Sequence, residues 1–292
     1  MTAIPARVAG VGEVIVASPR PHPVVFAAAL EAGVDRVFQI GGAHAIAALA
    51  YGTATVPRVD KIVGPGNRWV STAKALVTSD CAIDFYAGPT EILIVSAAGP
   101  AEWIAADLIA QAEHDPDARA VLVTPSKRLA RRVAEEVTAR MPAEGPASAS
   151  LAAHGAIIVT RSVREAMALA NAAAPEHLVV DSESLAAAAR TAGAVFVGPW
   201  TAQVAGDYAI GSNHVLPTAG AARFRGGLNA ADFVRLVSVQ RVSRRGLARI
   251  APTVTTLARA EGLEGHAASI EVRTVKGQAS AVRGRASARP HD

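Results

Sequence analysis

Four short clusters in this chain combine imidazole, carboxylate and carboxamide groups. Gln111 and His114 stand three apart in Gln111-Ala112-Glu113-His114-Asp115, at the end of an apolar run that reads as a helix. That spacing puts both side chains on one helical face. A carboxamide oxygen and an imidazole nitrogen so placed can share a metal ion, and a polar helix end with a solvated His is the plainer account. Glu176 and His177 follow Ala174-Pro175 between a helix and a strand, where parallel sheets are expected to place their active sites. Adjacent Glu and His can divide two proton transfers: His titrates near neutrality, and burial raises a Glu enough to activate water. A surface Glu beside a strand-capping His is the bland alternative. Asp207 in Ala205-Gly206-Asp207-Tyr208 and His214 in Gly211-Ser212-Asn213-His214 form the third cluster. Asp207 suits a hard or borderline metal, and His214 suits zinc or an anionic substrate group. Turn chemistry also favours Gly, Asn and Asp. The fourth cluster holds Glu261 and His266, far along the chain, where an exposed loop His would be unremarked.

These groups need a scaffold, and the sequence alternates strand-like and helix-like segments. Strands are expected at 13–17, 36–40, 59–63, 92–96, 120–124, 156–159, 178–180 and 194–197. Helices are expected at 22–33, 43–51, 68–77, 101–113, 127–140, 163–173 and 184–192. Continuous apolar strands between helices imply a parallel sheet covered on both faces. From Ala230 onward strands vanish, and 233–263 reads as two helices. Boundaries are expected near Ala87 and Gly227, giving segments 1–87, 88–227, 228–275 and a basic tail 276–292 expected to be disordered. Gly64-Pro65-Gly66-Asn67 is a glycine-rich turn opening a helix, able to offer N–H groups to a phosphate. Gly10 and Gly12 lack a third glycine and precede their strand, so the dinucleotide fingerprint is absent.

Of 292 residues, 51% are apolar and 18% charged, which marks a packed globular chain. The net charge is +4, but Lys276, Arg283, Arg285 and Arg289 concentrate the excess in the tail. The body is near neutral, which argues against nucleic-acid binding. The lone Cys81 excludes an internal disulfide and a Cys-based zinc site, and fits a reducing, cytoplasmic setting. No apolar run is long enough to span a membrane, and Arg7 and Glu13 interrupt any signal-peptide core.

Taken together, Gly41-Gly42-Ala43, Gly64-Pro65-Gly66-Asn67, Gly88-Pro89-Thr90-Glu91, Gln111-Ala112-Glu113-His114, Pro175-Glu176-His177, Gly206-Asp207-Tyr208 and Ser212-Asn213-His214-Val215-Leu216-Pro217 resemble the histidinol dehydrogenase family, in unbroken order from Met1 to about Val275. The resemblance implies an α/β fold of two Rossmann-like domains, with parallel sheets flanked by helices and the first part incomplete. A C-terminal helical dimerisation segment would follow. It implies oxidation of L-histidinol to L-histidine through histidinaldehyde, by two hydride transfers to NAD+, with one Zn2+ per subunit of a homodimer. Gln111, His114 and Asp207 match the metal ligands, and His266 matches the ligand given by the partner subunit. His177 matches the base and Glu176 the residue that activates water. These ligands, His177, Thr90, His214 and Glu261 match substrate contacts, Glu261 again across the dimer. Asn67 matches a cofactor contact, as does position 44, where His44 replaces the commoner Gln. Thr90 replaces the commoner Ser and keeps the hydroxyl. The family carries further residues before the point matching Met1, including a Tyr-containing cofactor loop and half of the catalytic domain. A fragment or misplaced start is therefore expected. A related dehydrogenase of another small polar alcohol, an inactive truncated fragment and a zinc hydrolase using Glu176 as base are the competing expectations.

Overall fold

A computed structural model describes residues 1–86 and 88–285; Ala87 and residues 286–292 lie outside the described residues. The chain divides into two units, Met1–Val234 and Arg235–Asp292. The sequence-based boundary near Gly227 thus lies somewhat before this division, and the one near Ala87 falls inside the first unit.

The first unit begins with α1 (Ala3–Val8), β1 (Ile15–Ala17), α2 (Pro23–Glu31), β2 (Arg36–Phe38), α3 (Gly42–Tyr51), β3 (Lys61–Ile62), α4 (Arg68–Leu76) and β4 (Ala82–Ile83). Parallel pairs β1–β2 and β3–β4 form two small sheets. Ile46, Leu49, Ala50, Val56, Ile62 and Val77 make their core. The short helix α1 and strand β4 were not legible as elements, since each is too brief to show a period.

The larger sheet follows: β5 (Glu91–Val95), α5 (Ala101–Ala112), β6 (Arg119–Thr124), α6 (Lys127–Arg140), α7 (Pro146–His154), β7 (Ala156–Val159), α8 (Val163–Ala173), β8 (His177–Val180), α9 (Glu183–Ala186) and β9 (Ala194–Val197). Its order is β7-β6-β5-β8-β9, and every pairing is parallel. Successive strand residues point to opposite faces, which sorts the core in two. Ile92, Ile94 and Leu122 pack with Ile104, Leu108, Leu129 and Val133 of α5 and α6. Leu93, Val95, Val123, Leu178 and Val180 pack with Met167 and Ala170 of α8. Ser126 and Ser162 fix the starts of α6 and α8 by accepting the N–H of Leu129 and Glu165. A short helix α10 (Ala205–Tyr208) closes the region that carries Asp207.

The second unit contains α11 (Arg244–Ala260) and α12 (Glu264–Arg285), with Ser243 capping α11. The tail expected to be disordered from 276 is helical as far as Arg285. Among the described residues no helix is long and apolar enough to cross a membrane.

Candidate active site

The chain order of the sheet reverses between β5 and β8, and the amino ends of these two neighbours carry the site. Parallel sheets usually bind ligands at the carboxyl ends of the strands; here Thr90 and Glu91 meet Glu176 and His177 at the other end. α8 stops at Ala174, which takes a left-handed conformation at φ 53. Pro175 then bars further helix. Two neighbours inside a strand would face opposite ways. Glu176 precedes the ladder, so its carboxylate stays beside His177, with Oε2 3.5 Å from the His177 Nδ1.

Both side chains are buried and well held. The Thr90 hydroxyl donates to Glu176 Oε2 at 2.5 Å, and the Glu91 N–H donates to the same oxygen at 3.0 Å. His177 Nδ1 lies 3.1 Å from the Glu91 carbonyl oxygen. A carbonyl only accepts, so Nδ1 carries the proton and Nε2 presents a lone pair. Burial pushes Glu176 up to about 7, against the hydrogen bonds from Thr90 and Glu91; the negative charges of Glu91 and Asp207 add to the rise. Burial pushes His177 down to about 4, opposed by the Glu91 carbonyl and Asp207 and assisted by His114 and His214. At neutral pH, then, the pair is a neutral imidazole beside a carboxyl group at its titration point.

Thr90 links this pair to the metal candidates. Its hydroxyl accepts from Gln111 Nε2 at 2.6 Å while donating to Glu176. The amide is thereby oriented with Oε1 turned away, and that oxygen is buried without a partner. Asp207 Oδ2 is likewise buried and unpartnered, and His114 Nε2 lies 3.7 Å from it. Orphaned buried oxygens are rare unless something satisfies them. Two such oxygens and an imidazole nitrogen suit a divalent cation such as zinc with a place left open. Among the described residues, no three or more His, Cys, Asp or Glu gather as a metal site. The helix expected to carry both Gln111 and His114 ends at Ala112. His114 sits in the following turn, its N–H 3.4 Å from the Gln111 carbonyl. His214 joins the same neighbourhood through Nδ1, 3.2 Å from the Asp207 carbonyl oxygen.

A cavity of about 420 Å³ is lined by Gly66, Asn67, Arg68, Trp69, Gly88, Pro89, Asp115 and Asp117. The glycine turn before α4 and the turn leading to Thr90 thus share one space. Asn67 caps α4: its Oδ1 accepts from the N–H groups of Trp69 and Val70 at 3.1 and 3.2 Å. Those two N–H groups are therefore spent on the cap rather than offered to a phosphate, which leaves the Asn67 Nδ2 as a donor. His44 is exposed near the start of α3.

Glu261 and His266 belong to the second unit. Glu261 is the residue after α11, and His266 is near the start of α12; both are exposed. Three contributors escaped the sequence. Thr218 accepts the Gly88 N–H at 2.6 Å and so anchors the turn before Thr90. The Glu91 backbone serves both Glu176 and His177. Gln203 is fully buried with both amide atoms unpartnered. A Gln just before Ala205-Gly206-Asp207 carried a faint signal; backbone contacts carried none.

Fold and site together define a parallel α/β protein with a buried Glu–His pair poised for proton transfer. The family model for histidinol dehydrogenase matches residues 1–274. Histidinol dehydrogenase from Cereibacter sphaeroides is 49% identical over 284 residues, covering 94% of this chain and 65% of the relative. The enzyme from Syntrophotalea carbinolica is 50% identical, covering 94% of this chain and 66% of that protein. A crystal structure of histidinol dehydrogenase from Elizabethkingia anophelis superposes with a TM-score of 0.89 at 33% identity, covering 95% of this chain and 67% of that one. The chain belongs to the histidinol dehydrogenase family. It spans about two thirds of the length of the curated relatives it matches.

Proposed function

We propose that this chain oxidises L-histidinol to L-histidine through histidinaldehyde, with two NAD+ as acceptors and one Zn2+ per subunit, as a cytoplasmic homodimer. The observation that carries the reading is the Glu176–His177 pair, two adjacent buried groups with opposite shifts. Sites that run acid and base chemistry together separate their groups in this way. His177, neutral and with Nε2 free, takes the proton from the alcohol as the first hydride leaves. Glu176, titrating near 7, takes a proton from the water that adds to the aldehyde, while protonated His177 returns its proton to the aldehyde oxygen and is neutral again. His177 then takes the proton of the resulting hydrate as the second hydride leaves.

Gln111 Oε1, His114 Nε2 and Asp207 Oδ2 would hold the zinc, with His266 of the partner subunit completing the set. When bound, zinc anchors the substrate's imidazole and amino nitrogens and NAD+ accepts hydride. His214 and Thr90 position the substrate, with Glu261 of the partner subunit, while Asn67 and His44 contact the cofactor. The shared site is supported by an exposed apolar row, Leu236, Val237, Val239 and Val242, in the second unit. Exposed apolar side chains gathered in one short stretch of sequence support an interaction surface there. Mixing the chain with zinc, NAD+ and L-histidinol tests the reading: two NADH per histidinol are expected. No NADH formation would refute it for this chain.

A further inference from the structure

The Gly64–Asn67 turn is fastened by an ion pair that the chemistry above does not use. Lys74 lies on α4 and Asp84 directly follows β4; both are buried and their charged groups are in contact. The pair grips a single residue of the turn. Asp84 Oδ2 accepts the Gly64 N–H at 2.7 Å, and Lys74 Nζ donates to the Gly64 carbonyl at 2.9 Å. Asp84 Oδ1 bonds Lys74 and also accepts the Phe85 N–H at 2.7 Å. Gly64 has φ +111, which glycine adopts freely and other residues do not. Arg225 reinforces the clamp. It donates to the Asp84 carbonyl, lies 4.7 Å from the Phe85 ring centre, and donates to Asp232 Oδ1 at 2.9 Å.

Burying two charges is an expensive way to fill a core, and apolar side chains of the same volume often serve as well. What charges add is direction. An ammonium and a carboxylate fix one carbonyl and one N–H at defined points, through charge-assisted hydrogen bonds. The grip falls three residues before Asn67, at the start of a turn that lines the 420 Å³ cavity.

We infer that Lys74 and Asp84 are positioning residues for the cofactor, holding Gly64 so that Gly66, Asn67 and Arg68 line the cavity they share with Gly88 and Pro89. This rests on the reading of Asn67 as a cofactor contact. The test is titration of the chain with NAD+, following the intrinsic fluorescence of its three tryptophans, of which Trp69 lines the cavity, for wild type and for Lys74→Met, Lys74→Arg, Asp84→Asn and Asn67→Ala. Histidinol affinity and zinc content are measured in parallel. Lys74→Met and Asp84→Asn should weaken NAD+ binding at least tenfold and leave histidinol affinity and zinc content unchanged. Lys74→Arg should restore most of the loss. A purely structural pair would lower the melting temperature while the folded protein kept its NAD+ affinity, and that result overturns the inference. If neither variant folds, Gly64→Ala strains the same turn without stranding a charge, and unchanged affinity there overturns it equally. Wild type that does not bind NAD+, or Asn67→Ala that binds as tightly as wild type, removes the cofactor reading itself and the inference with it.

Discussion

Glu176→Gln changes one atom and should make stability depend differently on pH. Glu176 is pushed from its ordinary 4.5 to about 7. Between those values the folded chain keeps a proton that the unfolded chain releases. Its contribution is therefore fully present below pH 4.5 and is lost as pH rises through 7. At about 1.4 kcal/mol per pH unit, the gap amounts to about 3 kcal/mol of destabilisation in the native protein well above pH 7. Gln cannot ionise, yet its Oε1 still accepts from Thr90 and from the Glu91 N–H. At pH 5 the two proteins should therefore melt within about 3 °C of each other. At pH 9 the Gln variant should melt higher, by roughly 6–12 °C for a unit of this size. Thermal unfolding followed by circular dichroism with a chelator present measures this. His177 has the opposite dependence, with stability lost as pH falls from 6.5 through about 4, but it is common to both proteins and cancels in the difference. A melting difference that stays flat from pH 5 to pH 9 would refute the assignment of a buried, late-titrating carboxyl. The same variant should slow oxidation of histidinaldehyde more than oxidation of histidinol, and equal losses would contradict the division of labour.

His177→Asn should cut turnover by about 10²–10⁴-fold, the range for removing a general base, with zinc content unchanged; a variant of normal turnover would sink the role. His266→Ala should lower zinc retention on dialysis, and full retention would mean that the metal site is complete within one chain. Gly193 leaves no space for a methyl group, because a Cβ there would come within 2.6 Å of the Glu176 carbonyl oxygen. Gly193→Ala should therefore cost about 1–3 kcal/mol in chemical denaturation and reduce activity by displacing Glu176; a silent substitution would show that this backbone tolerates a shift.

Period and composition made most of the scaffold legible. The strands at 156–159 and 194–197 and the helices at 127–140 and 163–173 fall where the apolar spacing put them. The helix expected at 184–192 shrinks to Glu183–Ala186, because a run of alanines has helical propensity but no large side chain to bury. Glu176 and His177 could be nominated from their types alone. Their opposite shifts could not, since those depend on burial beneath a fold of many distant residues. Gln111 was legible as a helix-end donor, yet the feature that makes its oxygen available is the Thr90 hydroxyl, 21 residues earlier in sequence. Lys74 and Asp84 were not legible: a Lys on a helix and an Asp after a short strand, ten residues apart, do not show that they pair or what they grip.

The exposed row of Leu236, Val237, Val239 and Val242 has a kinetic consequence. Under the shared-site reading, a protomer alone holds an unfinished catalyst, and each working site requires an encounter. At concentrations below the dissociation constant of the pair, the rate would then rise with the square of the amount of protein rather than in proportion to it. Dilution would act as an inhibitor that no substrate could compete away, and an assay run too thin would report a dead enzyme where there were only solitary ones.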